Sequence, residues 1–288
     1  EEVLDRTLLP EEDVDAAVDE VIAQARERGD AALRDYTKRF DGVELTALTV
    51  SQAELDAAWD AVDADFLETL RQAAENIRAF HAQQIRTGYV CTGEGGAVMG
   101  QRYAPIERVG ICVPRSPRAF PSTILMNVIP ARLAGVREIV LVTPPEQDGS
   151  VSAEALAAAK IAGATKICKV GGAQAVAALA YGTESVPRVD KIVGPGGVYV
   201  AAAKRKVFGR VAIDMVAGPS EILVLADGKS DPAWVAADLL SQAEHDVHAC
   251  AVLVTDSRPL AEAVQRELEV QLQALPRQDI ARASLERS

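Results

Sequence analysis

The stretch Leu239-Leu240-Ser241-Gln242-Ala243-Glu244-His245-Asp246 carries the densest polar chemistry on an otherwise apolar run. It closes a helix expected from about Pro232 to Glu244, so Gln242 and His245, three residues apart, are expected on one helical face. Two of the chain's three histidines, His245 and His248, sit here; the third, His81, reads as a surface residue of a long helix. An imidazole and an amide on one face could hold a metal or a polar substrate. A zinc site needs three or four ligands, however, and glutamine is an unusual one. From residue chemistry alone, a polar helix end facing solvent is the plainer reading.

The elements that must position such a site come from a chain of 288 residues, 49% hydrophobic and 25% charged. That is enough for a large core in one or two α/β units. No run approaches the ~18 apolar residues of a membrane span, and no secretory leader is visible. The first residue is Glu1 rather than Met, as expected of a trimmed N-terminus. The net charge of −12 is uneven: residues 1–75 hold 21 acidic and 7 basic residues, a balance of −14, leaving +2 elsewhere. The acidic excess reads as the solvated face of a helical arm. No basic stripe points to nucleic acid, and the near-neutral body accommodates a small anionic or dipolar ligand. Cys91, Cys112, Cys168 and Cys250 form no CxxC pair and read as reduced core thiols of a cytoplasmic protein.

Helices are expected from Pro10 to Arg28, from a cap at Asp30 through Phe40, from the capping box Ser51-Gln-Ala-Glu54 to Ala61, and from Asp65 to Arg86, with a short strand at Leu45–Val50. Gly88–Arg102 is Gly-rich and β-like. After Pro105, strands at Val109–Val113, Glu138–Val142, Lys166–Val170 and Lys191–Val193 alternate with helices at Pro121–Leu133, Ser152–Ile161, Ala173–Ala180 and Val198–Val207. Continuously apolar strands such as Ile139-Val140-Leu141-Val142 are expected where both sheet faces are covered, hence a parallel, Rossmann-like sheet. A second series follows: strand Glu221–Ala226, helix Pro232–Glu244, strand Ala249–Thr255, helix Pro259–Leu275. A parallel sheet that ends on a helix reads as unfinished, so the chain is expected to be incomplete at its C-terminal end.

There is no G-x-G-x-x-G and no P-loop. Instead Gly171-Gly172-Ala173-Gln174 and Gly194-Pro195-Gly196-Gly197 each follow a strand and open a helix, with a third such turn at Ala217-Gly218-Pro219-Ser220-Glu221. Glycines there let a ligand approach backbone, and helix N-termini suit phosphate. A tight turn is the competing explanation. Ser220 could donate to a substrate, but nothing supports a hydrolase nucleophile.

Four blocks together are specific: VGGAQAVAALAYGTESVP over Val170–Pro187, VDKIVGPG over Val189–Gly196, IDMVAGPSE over Ile213–Glu221 and DLLSQAEHD over Asp238–Asp246. In order and spacing they resemble the histidinol dehydrogenase family, and the similarity runs from about Gly29 to the end. The resemblance implies a zinc- and NAD-dependent oxidoreductase of histidine biosynthesis. Such an enzyme oxidises L-histidinol to L-histidine in two hydride transfers, as a homodimer with its active site near the subunit interface. It implies an α/β fold of aldehyde dehydrogenase-like architecture, with two Rossmann-like parallel-sheet domains and an N-terminal helical arm. On that pattern residues 1–104 hold the arm and the start of the first domain. Residues 105–217 form a Rossmann-like domain, and 218–288 continue the first domain, incomplete.

The resemblance also assigns roles. Gln242 and His245 match two of four zinc ligands and, through the metal, substrate contacts. Ser220 matches a substrate contact and Gln174 an NAD contact. Four departures accompany this. The other two zinc ligands, an Asp and a His, fall beyond Ser288. So does the catalytic Glu-His pair, which leaves no catalytic residue here. An NAD-contacting Tyr is replaced by Cys112, with Arg115-Ser116 where the family has Gly-Gly. An NAD-contacting Asn is replaced by Gly197. Each lost contact is expected to cost roughly 1 kcal/mol of cofactor binding, while Arg115 offers a phosphate partner. Expected alternatives are a paralogue acting on another alcohol and a non-catalytic, half-length binding or interaction module.

Overall fold

The computed structural model describes residues 11–114, 120–216 and 220–287. Arg115, Ser116 and Ala217-Gly218-Pro219 therefore lie outside the described residues. Among the described residues the chain divides into two compact units, one spanning 12–216 and the other 220–287 together with Glu11.

The first unit opens with four helices: α1 (Glu11–Arg28), α2 (Asp30–Asp41), α3 (Gln52–Ala61) and α4 (Ala64–Ala82). The antiparallel hairpin β1 (Tyr89–Thr92) and β2 (Val98–Gln101) follows. The alternating series is β3 (Arg108–Cys112), α5 (Pro121–Leu133), β4 (Glu138–Val142), α6 (Ala153–Ala162), β5 (Lys166–Cys168), α7 (Gly172–Tyr181), β6 (Lys191–Val193), α8 (Val198–Val207) and β7 (Ala212–Ile213). These strands form one parallel sheet in the order β5-β4-β3-β6-β7.

Strand residues alternate between two cores, because successive side chains leave opposite faces of a sheet. Cys112, Val140, Val142 and Cys168 join α1, α2, α7 and α8 on one face. Val109, Ile111, Ile139, Leu141 and Ile167 join α4, α5 and α6 on the other. The helices of residues 11–82 thus share one compact unit with residues 105–216, since their apolar stripes cover the sheet.

Three local expectations change. Leu45–Val50 is no strand: Thr49 makes only an isolated bridge to Cys168. Val50 N–H donates to the Ile167 carbonyl at 2.9 Å, and the Leu48 carbonyl accepts from Lys169 N–H at 2.7 Å. Buried Val43, Leu45 and Leu48 hold this segment against the core more than backbone pairing does. β7 is an extra edge strand too short to show periodicity.

Asp30, the third, does not cap α2. Its carboxylate accepts from Thr183 Oγ1 at 2.7 Å and from Ser185 N at 3.1 Å, while Glu184 accepts from the Asp30 amide at 2.8 Å. Burial works to raise the Asp30 pKa, but the hydrogen bonds from Ser185 and Thr183 and the Arg34 charge outweigh it and hold it below the usual carboxylate value. A carboxylate whose folded-state pKa is depressed stabilises the fold above its unfolded pKa, and that contribution is lost as pH falls through the folded value. Asp30→Asn is therefore expected to cost about 1–3 kcal/mol at pH 7. In urea unfolding across pH 3–7, its deficit should shrink below about pH 3.9; a deficit independent of pH would refute the assignment.

The second unit holds β8 (Glu221–Ala226), α9 (Pro232–Ala243), β9 (Cys250–Thr255), α10 (Arg258–Leu272) and α11 (Gln278–Arg287). β8 and β9 pair in parallel, and α9 and α10 bury Val235, Leu239, Leu260 and Val264 against them. No helix among the described residues is long and apolar enough to cross a membrane.

Candidate functional site

In the first unit the sheet reverses direction of growth between β3 and β6: the chain runs outward through β4 and β5, then returns to β6 and β7. Ligands of open α/β sheets bind beyond the C-terminal strand ends at such a point. A cavity of about 320 Å³ lies there, lined by Cys112, Val142, Pro144, Gly171, Gly196 and Tyr199 among others. The N-termini of α7 and α8 both reach it, bringing the positive ends of two helix dipoles to one place.

The glycine turns are shaped by close approach. A Cβ at Gly171 would stand 2.2 Å from Pro144 Cγ, and one at Gly196 2.4 Å from Val200 Cγ1. Gly197 differs: an added Cβ meets nothing within 4 Å, so a larger residue would fit at that cavity edge. Cys112 is buried beside the cavity, and burial pushes its thiol up to about 12; Cys168 is pushed to about 11 for the same reason. Burial thus disfavours the thiolate of both, which argues against a cysteine nucleophile there. Cys112, Cys168 and Cys250 are the core thiols expected, whereas Cys91 is exposed on β1.

A second cavity, of about 440 Å³, shares Asp41, Gly172 and Tyr199 with the first. Its wall includes Val18, Val21, Tyr36, Phe40 and Gln174. Gln174 is 2% exposed, and its Oε1 has no hydrogen-bond partner among the described residues. A buried, unsatisfied acceptor on a cavity wall calls for a donor from a ligand. This orphan and the glycine-lined cradle fit a dinucleotide such as NAD.

In the second unit α9 ends at Ala243, with Glu244 as its cap, so His245 lies just past the helix. The spacing survives through a tight turn, in which His245 N–H donates to the Gln242 carbonyl at 3.1 Å. The His245 carbonyl accepts from Arg277 at 3.3 Å. Asp246 accepts from the His248 amide at 2.8 Å and from its ring at 2.9 Å. Burial opposes the charge on Asp246, but these bonds and nearby Arg277 keep its pKa lowered. Ser220 is exposed, immediately before β8. Among the described residues no three His, Cys, Asp or Glu side chains converge as a metal cluster. Gln242 and His245 alone do not fit a complete zinc site.

Asp41 and Tyr199, shared by both cavities, were not marked by sequence reasoning, and no motif flags them. Buried Lys204 was also missed, because a Lys-Arg-Lys run at a helix C-terminus reads as surface charge.

The sequence model of the family described as histidinol dehydrogenase matches residues 4–288. The histidinol dehydrogenase of Geobacillus kaustophilus is 58% identical over 270 residues, covering 94% of this chain and 64% of that protein. That of Streptococcus mutans is 55% identical, covering 95% and 64%. The crystal structure of histidinol dehydrogenase from Elizabethkingia anophelis superposes with a TM-score of 0.92 at 40% identity, covering 98% of this chain and 66% of that one. The chain thus spans about 64% of the length of the curated relatives it matches. A match along nearly all of its residues, in sequence and in fold, means that the chain belongs to the histidinol dehydrogenase family.

Proposed function

We propose that this chain is the part of a cytoplasmic, homodimeric, NAD- and zinc-dependent dehydrogenase that receives NAD, and that the full-length protein oxidises L-histidinol to L-histidine with two NADH released per histidinol. Gln174 carries this reading: a buried amide oxygen with no hydrogen-bond partner among the described residues, on the wall of the second cavity, which shares Asp41, Gly172 and Tyr199 with the one at the sheet's switch point. When bound, NAD supplies the hydride acceptor. Gln174 would accept a hydrogen bond from it, and the glycine turns at 171–172 and 194–197, with the first turns of α7 and α8, would hold its phosphates. Cys112 and Gly197 contribute a non-aromatic wall and open space where the family pattern has Tyr and Asn, so binding here is weaker than with those side chains. Gln242 and His245 serve as two of four zinc ligands and Ser220 as a substrate contact. The remaining ligands and the acid–base pair come from outside the 288 residues.

Metal-loaded full-length protein given histidinol and NAD tests the reading; failure to form NADH would refute it. The 288-residue chain alone is expected to bind NADH without turning histidinol over. In that chain Gln174→Leu should raise the thermal midpoint, because it removes a buried unsatisfied acceptor worth about 1–3 kcal/mol. It should also weaken NADH about tenfold by fluorescence titration, the loss of one good hydrogen bond. Unchanged affinity would remove Gln174 from the site.

A further inference from the structure

Lys204 lies in the last turn of α8, far along the helix from the end that lines the cavity, yet it is 2% exposed. Its ammonium donates to the Gly194 carbonyl at 3.0 Å and pairs with Asp214, which follows β7. The second oxygen of Asp214 accepts from Gly194 N–H at 2.8 Å. Both backbone polar groups of one glycine are therefore held by one ion pair, whose lysine is buried and whose aspartate side chain is 30% exposed. That glycine has φ 103° and starts the Gly194–Gly197 turn along the cavity.

We infer that Lys204 and Asp214 are a positioning pair that fixes the Gly194–Gly197 turn in the shape that binds the dinucleotide. Ion pairs contribute little to stability at the surface, and where a charge is buried its desolvation offsets much of the attraction, so apolar replacement of both partners is often neutral or better. Fold stability alone thus does not call for one at this place. What the pair supplies is a clamp on both the donor and the acceptor of Gly194. With its charge satisfied by Asp214, Lys204 does not act as a phosphate cation; it sets where the turn's amides and the first turn of α8 stand. The pair also joins the turn to the end of the edge strand β7, so the turn, α8 and β7 are registered at one residue.

The inference rests on the cavity binding NAD as proposed above. Its test is NADH fluorescence titration with thermal unfolding of the 288-residue chain, Lys204→Met, Lys204→Met with Asp214→Leu, and Asp30→Ala. Asp30 lies in a buried polar network at the opposite end of α7 from the cavity. Lys204→Met should lower the melting temperature and weaken NADH at least tenfold. The double variant should regain the melting temperature, having no uncompensated charge, and still bind at least tenfold more weakly. Asp30→Ala should lose melting temperature but keep the NADH affinity. A double variant within twofold of the unaltered affinity would overturn the inference, and so would an Asp30→Ala chain that binds as weakly as Lys204→Met. No NADH binding by the unaltered chain would instead remove the cavity assignment, and the inference with it.

Discussion

Gly194→Ala is expected to destabilise the chain by about 3–5 kcal/mol, the cost of a strained backbone plus a clash that cannot relax. The residue sits at φ 103°, a conformation that L side chains rarely adopt. An added Cβ would stand 2.3 Å from the Cys112 carbonyl oxygen and 3.1 Å from its nitrogen. Those atoms belong to β3, the central strand, which is paired on both sides: Cys112 with Val142 of β4, and Val109–Ile111 with Lys191–Val193 of β6. Backbone locked on two edges has nowhere to move, unlike the end of a flexible side chain. The Gly194 N–H and carbonyl are also tied to Asp214 and Lys204, so a shift of the turn would break both bonds. Gly197→Ala is the matched control, with φ −67° and nothing within 4 Å of its added Cβ, and should be within about 0.5 kcal/mol of the unaltered chain. Urea unfolding of both variants decides it. A Gly194→Ala loss below about 1 kcal/mol would mean that the turn is slack, contrary to the clamp described for it.

Leu179→Ala is expected to cost about 2–5 kcal/mol, and to do so non-additively with Gly110→Ala. Leu179 is fully buried on α7, and Gly110 lies beneath it on β3. A Cβ at position 110 would meet Leu179 Cδ1 at 2.7 Å and Cδ2 at 2.8 Å. Gly110→Ala alone therefore overpacks the contact, for about 1–3 kcal/mol. Made together, the new methyl occupies part of the cavity that the shortened side chain leaves. The double variant should then be at least about 1 kcal/mol less damaged than the sum of the singles. α7 also carries Gln174 on the cavity wall, so each single variant should weaken NADH binding as the helix shifts. Urea unfolding with NADH titration of the three variants reads both effects. Strict additivity would show that the strand and the helix are not in the tight contact described.

Much of this fold is legible in the residues themselves. Pro121–Leu133 and Val198–Val207 form helices over the spans read from sequence, because helical periodicity and N-terminal proline or glycine signals are local. The Ser51–Glu54 capping box is present in full, being complete within four residues. Leu45–Val50 misled because β-propensity reports a fit to a pleated, half-buried surface, and here the burial is met without a ladder. Asp30 misled because an acidic residue at a helix start is usually a cap, while its partners, Thr183 and Ser185, lie more than 150 residues away. His245 was read onto a helix that stops two residues earlier.

By itself the sequence determined the alternation of strand and helix, the parallel α/β class, the glycine turns and the family, since these rest on residue order along short stretches. Only the tertiary structure decided that the 171–172 and 194–197 turns face one cavity, because that depends on the strand order β5-β4-β3-β6-β7. It alone left the Gln174 oxygen without a hydrogen-bond partner among the described residues and turned Lys204 from an apparent surface charge into a buried clamp on Gly194. The reason is the same in each case. Burial and hydrogen-bond partnership are set by segments that meet across the sheet, and no spacing along the chain encodes which of them will meet.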